Sequence, residues 1–320
     1  MGWAEQSYFQ SKLIEMRTIL IILCVVLLKA TAIQACDICG CGVGGYYSGM
    51  LPQYHKNFIG LRWRFSYFKS DLGHEGENIA AYSKEYFHSL ELMGRFYPHR
   101  RVQLLAFVPL NYHLRNAPTE TNALVGLGDL SVLALYNIYN TSFIAEKNTK
   151  HNLLVGGGIK VPTGSFQRKD AAGALLTPSL QLGTGSVDFL ITGVYTLRHK
   201  RWGLNTNVAY KINLPNKNTY QFGNQLTASA TAFFLHKIKN KEWGLMPKLG
   251  IAFEQAKYNL KYGYKRINTG GNQLIATAGL EMYYKKIQLG LSYQQPTWQN
   301  LSNGLVEAGP RFMANINYLF

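Results

Sequence analysis

The sequence predicts an all-β fold, a closed antiparallel transmembrane β-barrel of about 12 strands, with 14 as the alternative. Three observations carry that expectation. Side chains alternate between apolar and polar at period two through nearly the whole chain, and no stretch gives a 3.6-residue pattern. Arginines alternate with aromatics inside such strands, as in residues 57–69, N-F-I-G-L-R-W-R-F-S-Y-F-K. The chain also ends M-A-N-I-N-Y-L-F, which sets Phe312, Ala314, Ile316, Tyr318 and Phe320 on one face of a final strand. Arg311, Met313, Asn315, Asn317 and Leu319 take the other. A soluble sheet has nothing to cover a last strand that finishes on an exposed aromatic. Lipid covers it, provided that strand pairs with the first so that no edge is left.

In chain order, residues 1–35 read as a secretory signal region. Met16-Arg17 supplies the positive start, T-I-L-I-I-L-C-V-V-L-L an apolar core of about 11 residues, and the small residues up to Ala35 a cleavage end. Residues 1–15 lack signal character, so translation is expected to begin at Met16. The apolar run is too short for a spanning helix, which needs about 20 residues. Residues 36–56 form a Cys/Gly-rich amino-terminal segment, and residues 57–320 the barrel.

The first strand, 57–69, points Ile59, Leu61, Trp63, Phe65 and Tyr67 outward and Gly60, Arg62, Arg64 and Ser66 inward. In 87–97 the outer row is Leu90, Leu92, Gly94 and Phe96, against Ser89, Glu91, Met93 and Arg95. The alternation recurs in 102–115, 129–139, 152–161, 187–198, 202–213, 225–234, 245–254, 273–284, 287–294 and 313–320, with 177–182 as a short further candidate. Polar connections at 70–84, 116–122, 164–175, 213–220, 257–272 and 295–308 are long, whereas those at 199–201 and 284–286 are tight. Long connections are therefore expected on one side of the membrane and short turns on the other. Many of the 21 tyrosines lie near strand ends, where aromatic girdles meet head groups.

Without residues 1–35 the chain keeps 30 of its 33 basic and 15 of its 17 acidic residues, a net charge of +15. The charges are scattered rather than clustered, which argues against a nucleic-acid surface. An exported chain meets other polyanions, chiefly lipid head groups. Catalytic motifs are missing too. There is no G-x-S-x-G and no H-E-x-x-H, and His88, His99, His113, His151 and Ser165 are not spaced as a catalytic set. The chain is therefore not read as an enzyme.

Several motifs go beyond periodicity. Gly126-Leu127-Gly128-Asp129-Leu130-Ser131 with Tyr136 resembles the G-x-G-D strand start of the outer-membrane barrels named after a meta-pathway gene of phenol degradation. The G-G-G-I-K-V-P-T-G stretch ending at Gly164 resembles that family's G-x-K-x-P-T-G strand and turn. Leu182 to Phe189 resembles its G-T-G-S-x-D segment, and Tyr220 to Leu226 its Y-x-F-G-x-Q-L element. The ordered set spans about half the mature chain. The resemblance implies a transporter in the bacterial outer membrane for small aromatic or apolar compounds. It also implies that the terminal Phe312, Ile316, Tyr318 and Phe320 are what the barrel-assembly machinery reads. Physically, Gly126, Gly128, Gly164, Gly183 and Gly185 suit tight turns or bulges needing positive φ. Gly156, Gly157 and Gly158 would let another segment approach a strand closely. Asp129 and Asp188, each after a Gly-rich turn, are placed to accept backbone N–H groups.

The lumen row gives the candidate solute path: Arg62, Arg64, Glu91, Arg95, His113, Lys160, Arg198, Lys211 and Glu281, with Gln103 and Lys248 beside them. Leu105, Phe107, Leu133, Leu135, Leu190, Val194, Phe233 and Ile275 fall on the same row in mid-strand. That mixture points to a narrow, amphipathic lumen, or equally to apolar residues packed against a plug, rather than a wet pore. Basic side chains would draw anionic or polar ends, and apolar ones would accept hydrophobic bodies. Cys36, Cys39 and Cys41 form C-x-x-C-x-C at the mature amino terminus. Three thiols there could hold Cu(I) or Zn(II), form a disulfide with one left over, or include a lipidated Cys36. The leading expectation is a small-solute channel. The alternative is a non-conducting barrel whose cysteine segment binds metal or a partner.

Overall fold

Period-two alternation becomes a closed wall of 12 antiparallel strands. The computed structural model describes residues 56–71, 82–118, 120–141, 148–237 and 242–320. The barrel strands are β1 (Phe58–Asp71), β2 (Tyr82–His99), β3 (Val102–Asn116), β4 (Leu130–Asn140), β5 (Thr149–Val161) and β6 (Asp188–His199). They continue with β7 (Trp202–Asn213), β8 (Gln225–Phe234), β9 (Trp243–Ala256), β10 (Gly271–Tyr284), β11 (Ile287–Leu301) and β12 (Val306–Leu319). The 12 main strands expected from alternation are all present. β12 pairs with β1 from Phe58↔Leu319 to Ser70↔Val306 and closes the sheet.

The pairing shows how the wall is tilted. Following partners from Phe58 through Arg95, Leu105, Leu133, Gly158, Leu190 and Lys211, then Gln225, Ala256, Gly271, Leu301 and Val306, leads back to β1 at Ser70. One circuit thus climbs from residue 58 to residue 70 of the same strand. A stagger of that size tilts the strands and fixes which inward side chains meet across the lumen.

Alternation holds on both faces. On β1, Ile59 and Leu61 are 52% and 44% exposed while Arg62 between Leu61 and Trp63 is 1% exposed. Among water-exposed strands such apolar exposure would be a liability; against acyl chains it is the stabilising face. The aromatics form two belts. Near the end carrying the carboxyl terminus, Trp202 lies tilted against Phe234 (4.7 Å) and Trp243 stacks on Tyr284 (4.3 Å). Nearer the opposite end, Phe65, His88, Phe312 and Tyr293 form a second outward group. The described turns at the terminal end include the tight Arg100-Arg101, Lys200-Arg201 and Lys285-Lys286 bends. Among the described residues the long connections, 162–187, 214–224 and 257–270, leave from the other end.

Inside, the two walls differ. Phe58, Met93, Leu105, Phe107, Leu133, Leu135, Leu154, Val194 and Leu319 pack into one apolar cluster on the β1–β6 side and the adjoining end of β12. Two glycines make room for it. A Cβ on Gly156 would stand 2.7 Å from Leu135 Cα, and one on Gly158 2.7 Å from Leu133 Cγ. The close approach expected at this glycine run is thus made by the neighbouring strand and its leucines. Across the lumen, β7 to β11 turn small polar groups inward: Asn205, Asn207, Thr227, Ser229, Thr277 and Ser292.

Four local expectations are corrected. Residues 177–182 make no strand; they hold a short 3₁₀ turn, Pro178–Leu180, in a connection folded against the lumen. Pro178 supplies the fixed φ for that turn and removes a ladder donor, which disfavours a strand. The 295–308 stretch is not a long loop. β11 runs to Leu301 and β12 begins at Val306, because Trp298 and its neighbours pair with β10. Residues Thr121–Leu127, partly assigned to a loop, form an extra strand on the upper half of β3, outside the count of 12. Finally, Gly185 does adopt φ 71°, but Gly164 and Gly183 serve a different need. They face each other so closely that a Cβ on Gly164 would stand 2.8 Å from Gly183 Cα.

Candidate functional site

A cavity of about 260 Å³ occupies the lumen. Towards the long-loop end it is bounded by Phe68, Phe87, Leu182, Phe222 and Leu301. Towards the terminal end it continues along the polar wall past Asn205, Thr231, Lys248 and Glu281. The lower members of the apolar cluster fill the facing half. The result is a cavity with one hydrogen-bonding side and one apolar side.

Of the nine expected lumen residues, Arg64, Glu91, His113, Lys160, Lys211 and Glu281 line this cavity. Arg62 and Arg95 point inward and are buried, but lie beneath its lining. Arg198 is half-buried near the end of β6.

Register explains most of the charge pairing. Arg62 and Glu91 are direct cross-strand partners. Arg62 Nε donates to Glu91 Oε2 at 2.8 Å, and its guanidinium lies over the Phe107 ring at 5.4 Å. Arg64, one step along the same inward row, donates to the other Glu91 oxygen. Lys248 donates to Glu281 at 2.9 Å, and Tyr283 Oη donates to the remaining Glu281 oxygen at 2.5 Å. Arg311 forks onto both oxygens of Glu254 at 3.2 and 3.1 Å, with Gln273 donating at 2.7 Å.

Lys160 sits at the root of the 162–187 connection. Its ammonium lies 2.7 Å from Asp129 and 2.7 Å from Asp188, and it also meets the Thr184 hydroxyl. Asp129 accepts the backbone N–H groups of Gly164 (3.0 Å) and Thr184 (2.8 Å), the role its place after a Gly-rich turn predicted. His113 meets Leu180 O at 3.0 Å and Asn111 donates to Leu182 O at 3.1 Å. These contacts hold the connection over part of the lumen mouth. Asn216 ties the next loop to it through Thr184 O at 2.9 Å.

Sequence reasoning missed Asp129, Asp188 and Glu254 as lumen charges, and put Arg311 on the inward row without naming it for the solute path. It also missed the polar wall, although Thr227, Ser229 and Thr231 stand at alternate positions and the pattern was visible. Cys36, Cys39 and Cys41 lie outside the described residues, as do the signal region and most of the amino-terminal segment. Among the described residues, no three His, Cys, Asp or Glu side chains are grouped to hold a metal ion.

The closed wall, outward apolar face and paired aromatic belts define the molecule as a β-barrel of the bacterial outer membrane. Residues 101–309 match the model of the family described as MetA-pathway of phenol degradation, and the chain belongs to that family. Among solved structures it is similar to an outer membrane channel from Pseudomonas putida F1. That similarity has 14% identity and a TM-score of 0.59, covering 83% of this chain and 96% of the other. Weaker likenesses are to the β domain of the Bordetella autotransporter BrkA and to the NalP translocator domain from Neisseria meningitidis. The BrkA comparison has 11% identity and TM-score 0.48, covering 83% of this chain and all of the other. The NalP comparison has 9% identity and TM-score 0.45, covering 85% and 92%. At such identities the likeness concerns the fold. No curated protein sequence matches the chain significantly.

Proposed function

We propose that the chain is a channel through the outer membrane for small amphipathic solutes, aromatic compounds among them. One observation carries this reading: the lumen cavity is faced on one side by Asn205, Asn207, Thr227 and Ser229 and on the other by Phe107 and the apolar cluster beneath it. A solute with a polar end and an apolar body can keep both satisfied along such a passage. The carboxyl-terminal end faces the periplasm, the long loops face outward, and the assembly machinery recognises the terminal aromatic row. No catalytic step belongs to this proposal.

The test is permeation. Purified full-length protein in planar bilayers is expected to give discrete conductance, and in vesicles to admit phenylalanine faster than protein-free vesicles do and faster than it admits arabinose. Absence of both current and solute entry, with the protein shown to be folded and inserted, would reject the reading.

A further inference from the structure

Nearly every cation that faces the lumen is matched. Arg62 and Arg64 share Glu91, Lys160 has Asp129 and Asp188, Lys248 has Glu281, and Arg311 has Glu254. Arg115 lies 3.6 Å from Glu85, and Arg95 donates to Lys56 O at 3.1 Å. Lys211 is the exception. It lines the cavity and is only 3% exposed, yet no described residue forms an ion pair or hydrogen bond with its ammonium.

Its surroundings explain why no acid reaches it. In register Lys211 lies between Leu190 on β6 and Gln225 on β8. Its diagonal neighbour on β6, Asp188, is held by Lys160 at 2.7 Å and by Ser186 Oγ at 2.9 Å. An ammonium this enclosed is poorly hydrated, so it gains strongly from any anion that the cavity admits. Further donors face the same space, Asn207 from β7 itself and Thr227 and Ser229 from the adjacent β8. Phe107, Leu182, Phe222 and Met313 supply apolar lining.

We infer that Lys211 anchors an anion site in the lumen, and that its ligand is a small monocarboxylate carried on an apolar or aromatic body. One unmatched cation calls for one negative charge. A dianion would bring a second charge to a cavity whose other described lysines and arginines are already engaged by Glu91, Asp129, Asp188, Glu254 and Glu281. The site specifies the solute class of the proposed channel and relies on that reading for the ligand's route alone.

Binding can be measured apart from permeation. Calorimetry on the full-length protein in detergent at low salt would compare benzoate with its neutral analogue benzamide and with acetate. Wild type is expected to bind benzoate more tightly than either. Lys211→Met is expected to lose about 10-fold or more in benzoate affinity, Lys211→Arg to keep most of it, and benzamide to be indifferent to both changes. Equal benzoate affinity in wild type and Lys211→Met overturns the site, as does a wild type that binds benzoate no better than benzamide. Acetate binding as tight as benzoate overturns the apolar-body requirement. Should Lys211→Met fail to fold, amine labelling of wild type read by mass spectrometry serves instead. Protection of Lys211 by benzoate is expected, and its absence overturns the site. Conductance without benzoate binding sinks the site and spares the channel; binding without conductance does the reverse.

Discussion

Replacing Glu91 with Gln probes whether the lumen is dry at the level of the apolar cluster. Arg62 is 1% exposed, and Glu91 receives two of its N–H groups, at 2.8 and 2.5 Å, besides Arg64. Gln keeps the shape and one acceptor but removes the charge that both guanidiniums share. Stranding one member of a buried pair costs about 3–5 kcal/mol, and the Phe107 ring offers Arg62 only partial compensation. Removing both partners in Arg62→Met with Glu91→Met leaves only Arg64 without its carboxylate, and Arg64 reaches the cavity, so the double variant is expected to lie within about 1–2 kcal/mol of wild type. Equilibrium urea unfolding in lipid vesicles, followed by tryptophan fluorescence, measures both. A loss below about 1 kcal/mol in Glu91→Gln would mean that water already solvates Arg62, and the packed lower lumen argued above would be wrong.

Three further outcomes are expected. Gly158→Val forces a side chain into Leu133 and should destabilise the barrel by about 1–3 kcal/mol, whereas Gly193→Ala, whose nearest contacts are at 4.0 Å, should be neutral or slightly stabilising in the same unfolding assay. Lys160→Met leaves Asp129 and Asp188 without their shared cation, so the 162–187 connection should loosen and trypsin should cut at Arg168 or Lys169 faster than in wild type; an unchanged cleavage rate would show that the backbone contacts hold it alone. Deleting Phe320, which is 58% exposed on the lipid face, should lower the amount of inserted barrel while leaving the conductance of what does insert unaltered, and normal membrane levels would count against its role in assembly.

Much of this fold is legible in the chain because a membrane barrel imposes one rule at every position. With a period of two and lipid on the outside, the outward row must be apolar, so Ile59, Leu61 and Trp63 declare the side of Arg62 without further information. The tight turns and the closing strand follow from the same rule. Where the rule lapses, the reading lapsed too. Residues 177–182 alternate as a strand would, but Pro178 and the contacts of the inward connection make them a turn. Trp298 and its neighbours look like a polar loop until β10 supplies their ladder partners.

What the sequence by itself determined, then, is the barrel, the lumen face of each strand and most strand boundaries to within a few residues, the β11–β12 hairpin excepted. The tertiary structure alone decided the partners. Arg62 meets Glu91 across 29 residues of chain because the stagger of the sheet puts them in register. Lys211 stays unmatched because the same register gives it Leu190 and Gln225 while Asp188 turns to Lys160. Alternation tells which way a side chain points; only the closure and shear of the wall determine what it finds there.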